Sequence, residues 1–459
     1  MPTPDYLKIS KGLFDYLLSI KKDEFWKENV NLDASQNHGQ TMIDDLGDTM
    51  PFMAWFGKIM DKKYLDQANE ISKNSIQKSG KSGLFITTNN PALKHMSFFD
   101  SNKMSDLILG INLLYSLTKD RFYLEASKSF FDSLDKLMTS EKGFVSFIYL
   151  NGLKLKFTSG SFSGLYIEEL CNLYNFTKDR TYLAQAEKLA SYWLNLDRFK
   201  KTGLFPFDLD YNAVTRKFLK TVFKKTVGCD IDSVMTSKAN TNLLFGLTSL
   251  YNFNKNPDIK RSILNWKESL VKNLRSEKGY FYSLLTKTEK KYVSLAYDHA
   301  VIDAFLEIYR VTNDKESLEL AKSTADAWLK FQTETGLVQE TVEGEKTSFV
   351  KEHKALTHRI SRLDSQTDFS VVLMKLYELT EDKKYLLATD RILGGILKYH
   401  KYKKGFADIL DLSSLKPIST AIEVKFLFLV TKAFLLRNYI QNGEKIYKNE
   451  LVRSLVRDR

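Results

Sequence analysis

The sequence predicts an all-α protein, an (α/α)6 toroid of helical hairpins with a partial seventh pair, on three observations. The first is a turn. Leu114-Tyr115-Ser116-Leu117-Thr118-Lys119-Asp120 returns in related form at 173–179, 250–256, 308–314 and 376–382, with a weaker copy ending at Asp61. The copies lie 58 to 77 residues apart, which is a repeat architecture. The second observation is that each copy separates an apolar segment from an amphipathic one. Before Asp120 stand Leu107, Ile108, Leu109, Ile111, Leu113 and Leu114, a helix apolar nearly all round that belongs inside; after it, Phe122, Leu124, Phe130 and Leu134 share the helix with Glu125, Lys128 and Asp132, which belong at a wet surface. The third is a glycine past each outer helix, at Gly83, Gly143, Gly203, Gly279, Gly336 and Gly405, followed by an apolar or aromatic pair. That combination reads as a helix stop and a short extended segment.

The elements follow in order. Residues 5–20 form a short amphipathic helix and 21–40 a polar lead-in, so 1–40 is set apart from the toroid at 41–440. The inner helix that begins near Met42 contains Pro51, which sits either in its first turn or at a kink. Thr-Lys-Asp is the short connection of an αα-hairpin, with the Asp suited to cap the second helix. The connections from outer to inner helices are long, at 87–102, 150–163, 208–237, 286–296 and 340–365. All the elaboration therefore falls at one end of the ring, and long loops in compact domains usually serve function. The last inner segment, 418–439, lacks a clear marker, and 441–459 is a charged closing helix or tail.

Composition bounds the function. The chain has 459 residues, 43% hydrophobic and 13% aromatic, with 68 basic and 56 acidic residues and a net charge of +12. No nucleic-acid motif accompanies the positive charge. Cys171 and Cys229 stand in unrelated contexts, which excludes a disulfide framework and a Cys-rich zinc site. The apolar runs at 13–20 and 426–436 are too short or are broken by Lys432, so a soluble, cytoplasmic protein with no membrane partner is expected. There is no Walker loop, dinucleotide fingerprint or His-Glu-x-x-His, and no EF-hand spacing, so neither cofactor nor metal is expected.

Acidic residues collect where long loops meet inner helices: Asp44, Asp45 and Asp48, then Asp106, Glu168 and Glu169, Asp230 and Asp232, Asp298 and Asp303, Asp364 and Asp368, and Glu423. Singly, each suits a helix N-terminus. Together they would ring one cleft with carboxylates, the requirement of sugar chemistry, in which one carboxyl group works protonated and another ionised. Asp44, Asp45, Asp106, Asp298 and Asp368 are the candidate catalytic residues. Trp55, Tyr166 and Tyr297 are candidate sugar platforms, with Phe98, Phe99, Phe162, Phe205 and Phe207 as further aromatics. His299, His358, Arg359 and Arg362 are candidate binding groups, the last three in a polar segment able to clasp an anionic sugar.

Ile43-Asp44-Asp45-Leu46-Gly47-Asp48-Thr49-Met50-Pro51-Phe52, followed by Asp61-Lys62-Lys63-Tyr64, resembles a stretch of the six-hairpin glycosidases, nearest to the unsaturated glucuronyl and rhamnogalacturonyl hydrolases. The resemblance implies an α/α toroid and a general acid/base role for Asp44, or for Asp45 if the register moves by one. It comes after one helix here rather than several, and no Arg-Gly-Asn-Gly-Trp counterpart is present. The expectation is a carbohydrate-active, glycoside hydrolase-like enzyme acting on an oligosaccharide or uronate-type sugar. A sugar epimerase of the N-acylglucosamine 2- or uronyl C5- type, or a helical scaffold binding protein or anionic glycan, is the alternative.

Overall fold

The computed structural model describes residues 4–21, 25–31, 37–41, 45–81, 83–85, 98–137, 147–149, 154–155, 157–206, 208–210, 234–235, 240–285, 290–342, 359–403, 405–419 and 421–457. Its helices are α1 (Tyr6–Ile20), α2 (Asp45–Ile59), α3 (Lys62–Ser79), α4 (Ser101–Thr118), α5 (Arg121–Leu137), α6 (Gly160–Thr177), α7 (Arg180–Leu194), α8 (Asp197–Thr202), α9 (Asn242–Asn254), α10 (Pro257–Leu274), α11 (Leu295–Thr312), α12 (Lys315–Leu329), α13 (Leu363–Thr380), α14 (Lys383–Gly395), α15 (Val424–Gln441) and α16 (Glu450–Leu455).

The repeating turn has a local cause. In five copies the residue after Thr or its equivalent turns left-handed, with φ of 59° at Lys119, 60° at Lys178, 51° at Lys255, 58° at Asn313 and 57° at Glu381. Its N–H closes on the carbonyl of the repeat's Tyr, 2.8 Å from Lys119 to Tyr115, so the inner helix stops there. The next residue caps the outer helix: Asp120 accepts from Phe122 N at 3.0 Å, Asp179 from Thr181 N at 2.9 Å and Asp382 from Lys384 N at 3.0 Å. The buried Tyr that follows reaches back to the preceding outer helix, Tyr123 to Asn69 Oδ1 at 3.0 Å and Tyr182 to Asp132 at 3.4 Å.

The hairpins close into a ring. The inner helices α2, α4, α6, α9, α11, α13 and α15 pack in that order, and α15 packs on α2. The outer helices α3, α5, α7, α10, α12 and α14 each follow their inner partner in the chain. The seventh pair is complete: α1, from the other end of the sequence, packs on α15. A three-stranded sheet holds the same seam, with Lys27–Asn31 antiparallel to both Asn37–Thr41 and Ala421–Glu423. The ring thus has seven members where the repeat marked six and a partial seventh.

Trp193, Trp266, Trp328, Tyr64 and Tyr385 fill the layer between the two rings. The lumen differs from the apolar interior expected of the inner helices. Asp303 on α11 and Lys375 on α13 face each other there, fully buried, with both carboxylate oxygens 2.8 Å from the ammonium. Pro51 lies inside α2, where it cannot donate to the Gly47 carbonyl. Gly47 and Gly110 let α2 and α4 touch: a Cβ on Gly47 would stand 1.9 Å from the Asp106 carbonyl oxygen. No helix among the described residues is long and apolar enough to cross a membrane.

Candidate active site

The starts of the inner helices open onto a cavity of about 380 Å³. Asp48 comes from the first turn of α2, Asp106 from α4, Tyr297 and His299 from α11, Asp364 and Asp368 from α13, and Glu423 from the residue before α15. The α2–α4 crossing at Gly47 sets Asp48 and Asp106 on one wall. Arg362, Lys425, Lys432 and Arg457 line the cavity as well, and Phe52 and Phe426 supply aromatic surface.

Each cation is held by a carboxylate. Arg362 Nη2 lies 2.7 Å from Asp364, Lys425 3.3 Å from Glu423 and 3.9 Å from Asp45, and Lys432 bonds Asp368. Burial opposes the charge on Lys425, but Asp45, Asp48 and Glu423 outweigh it and hold the ammonium protonated. Behind Arg362, Asp408 is largely buried. Desolvation and then the Asp364 carboxylate push its carboxyl up to about 7, with the Arg362 guanidinium opposing.

That shift fixes a pH dependence. Between pH 4 and 7 Asp408 holds a proton in the folded protein and loses it on unfolding, so its contribution to stability falls as pH rises through that window. Asp408→Asn is therefore expected to raise the unfolding free energy at pH 8 by on the order of 1–3 kcal/mol and by a clearly smaller amount at pH 5, about one unit into the window. Urea titrations at the two pH values check this.

The residues singled out from sequence separate into three groups. Asp106, Asp368, Tyr297, His299 and Arg362 come together on the cavity wall. Asp45, Asp298, Arg359, Trp55 and Tyr166 lie off it. Asp45 is half-buried and faces Lys425. Asp298 is fully buried behind the wall, where it accepts from Phe281 N at 2.9 Å and Trp328 Nε1 at 2.7 Å, and burial pushes its carboxyl up to about 7 against those donors. It ties α11 to the outer layer. Trp55 packs edge-on to Tyr439 and Tyr166 against Phe130 and Phe131, both as core residues. Phe205 is likewise core, stacked on Phe199 at 4.3 Å. Arg359 is exposed ahead of the strand Ile360–Arg362. Asp44, Asp230, Asp232, Phe207 and His358 fall outside the described residues.

From sequence only Arg362 of the four cavity cations was singled out, Lys425, Lys432 and Arg457 were missed, and three acids were underweighted. Asp48, Asp364 and Glu423 stood among the acidic residues without being chosen. Lys432 carried a signal, the one charged residue within the apolar run 426–436. Arg457, from the charged end, carried none.

A seven-membered ring whose inner-helix starts aim carboxylates into one cavity is the geometry of an α/α toroid glycosidase, and the family model for glycosyl hydrolase family 47 matches residues 33–423. The chain belongs to glycosyl hydrolase family 47. This family 47 chain is thus a carbohydrate-active, glycoside hydrolase-like protein, as the sequence led one to expect. No curated protein matches it by sequence. Among solved structures it is similar to an α-1,2-mannosidase from Trichoderma reesei, with 12% identity, TM-score 0.65 and 94% of each chain covered. It is also similar to the cellobiose 2-epimerase of Bacillus thermoamylovorans B4167, with 13% identity, TM-score 0.55, and 93% of this chain and 98% of that one covered. The unsaturated glucuronyl hydrolase of Bacillus sp. GL1 aligns at 12% identity and TM-score 0.50, covering 87% of this chain and 97% of its own. At these identities the three likenesses are of fold. Among the described residues no group of three or more His, Cys, Asp or Glu is placed to hold a metal ion.

Proposed function

We propose that this family 47 chain hydrolyses a neutral, mannose-type oligosaccharide in the cavity at the inner-helix starts. The observation that carries the reading is the charge arrangement there. Five carboxylates line the cavity, Asp48, Asp106, Asp364, Asp368 and Glu423, and each of its four cations is engaged by a carboxylate. An anionic sugar would meet a net negative surface, whereas hydroxyl groups find acceptors on every side. The α-1,2-mannosidase named above supplies the sugar and linkage for the first trial.

Incubation with α-1,2-linked mannobiose is expected to release mannose, while an unsaturated uronyl disaccharide is left intact. Release of the uronate and not of mannose would overturn the assignment. The epimerase reading keeps one observation in its favour, His299 on the cavity wall beside Tyr297. It predicts deuterium uptake from solvent at a sugar carbon without cleavage, which the same incubation in D2O detects.

A further inference from the structure

At the end of the ring that carries the repeated turns a second pocket opens, about 410 Å³ in volume and so within the range of small-molecule sites. It lies between the C-terminal halves of α4 and α6, and α16, which packs on α4, forms its third side. Leu113 lines both this pocket and the cavity at the inner-helix starts, so the two stand back to back.

α16 is held on both sides. After α15 the chain turns at Gly443, and Glu378 on α13 accepts the backbone N–H of Ile446 and of Tyr447 at 2.5 and 2.8 Å. Asn449 then caps α16, accepting from Val452 N at 3.2 Å. Past the helix, the Arg457 guanidinium bonds Glu168 on α6 and lies 2.8 Å from Glu307 on α11. Leu451 and Ser454 thereby line the second pocket, while Leu455 and Arg457 line the first.

The second pocket is polar but has no net charge. Glu169, buried behind it, accepts from Asn112 Nδ2 at 2.8 Å and from Asn172 Nδ2 at 3.2 Å, which fixes the Asn172 amide. Asn175 Oδ1 accepts from Lys178 at 2.9 Å. The Asn172 Oδ1, the Asn175 Nδ2 and the hydroxyls of Ser116 and Ser454 have no hydrogen-bond partner among the described residues, and all four residues are only half-buried. They offer an acceptor, a donor and two groups that do either. Lys119 and Glu450 are the charged residues on the described lining and cancel each other, and the ammonium stands over the Tyr115 ring, 5.4 Å from its centroid. Binding of a carboxylate or phosphate calls for an arginine fork or unbalanced positive charge, and this lining has neither. Tyr115 and Phe176, edge to face with centroids 4.9 Å apart, add an aromatic corner for the C–H face of a sugar ring.

We propose that the pocket at the turn end is a second binding site, for a neutral saccharide, distinct from the cavity at the inner-helix starts. Asn172, Asn175, Ser116 and Ser454 take its hydroxyl groups, and the Tyr115–Phe176 corner takes its apolar face. The site does not depend on what happens in the other cavity.

Hydrogen exchange at the amides of α16 tests this. A six-residue helix at the surface opens locally, and a ligand bound beside it slows that opening. Methyl α-mannoside and methyl α-glucoside, each titrated to about ten times its dissociation constant, are expected to slow exchange there about tenfold in the wild type. Ser454→Trp, which fills the pocket, and Asn175→Ala, which removes a donor, should lose most of that protection, whereas Asp48→Asn in the other cavity should keep it. Protection that survives both pocket variants overturns the proposal, as does its absence with both glycosides. Should Ser454→Trp not fold, Asn175→Ala decides alone. Protection in a wild type that releases no mannose from mannobiose supports this site and overturns only the hydrolytic reading of the cavity.

Discussion

Asp48→Asn is expected to reduce turnover of the mannoside by roughly 10²- to 10⁴-fold, the usual worth of a positioned acid or base, while thermal unfolding stays within a few degrees of wild type. Among the cavity's carboxylates Asp48 is the first to test, because it stands on the wall beside Lys425. Asp364, Asp368 and Glu423 are bound to Arg362, Lys432 and Lys425, which fixes their orientation and engages one oxygen of each. Asp48 is half-buried on the wall, near enough to Lys425 to help hold its ammonium charged. An ionised carboxylate facing a sugar is a base or a nucleophile. Replacement by the isosteric amide removes that capacity without opening a cavity, so stability should be spared. A variant that keeps most of its turnover would remove Asp48 from the mechanism and move attention to Asp106 across the α2–α4 contact.

The largest stability effect is expected at the Asp303–Lys375 pair. Both side chains are shut away from solvent in the lumen, and the ammonium meets both carboxylate oxygens at 2.8 Å. Lys375→Met leaves a carboxylate with no counter-charge at that spot and should cost about 3–5 kcal/mol, read as a fall in the urea midpoint at unchanged slope. The double variant Lys375→Met/Asp303→Leu should recover most of that loss, because an apolar pair of similar volume avoids the desolvation of two ions. If the double variant is no more stable than the single one, the site demands the pair for its shape and not for its charge.

What the sequence made legible was whatever is decided within a few residues. Thr118-Lys119-Asp120 works by a left-handed residue and a side-chain cap, both local, so its copies announced the hairpins correctly. Ring size was not local. The seventh pair joins α15 to α1, and no turn motif can mark two helices that are not consecutive. The same limit governed the site. That acids gather at the inner-helix starts could be read directly, but which of them look inward depends on helix rotation. Asp298 and His299 are neighbours about 100° apart on α11. One is turned to Trp328 in the outer layer and the other to the cavity. Arg457 was beyond reach for a further reason, since its meaning comes from Glu168 and Glu307, 289 and 150 residues earlier.

The pairing of α1 with α15 also bears on how the ring assembles. Six hairpins can each form from adjacent sequence, but the last joint must bring together stretches roughly four hundred residues apart. Loop-closure entropy for such a span is about 5 kcal/mol, only slightly more than for a span half as long, so its thermodynamic burden is modest. Its kinetic burden is larger, because contacts of that separation are searched for late. An intermediate with six hairpins in place and one gap would expose the flanks of α2 and α13 until the two extremities of the chain meet.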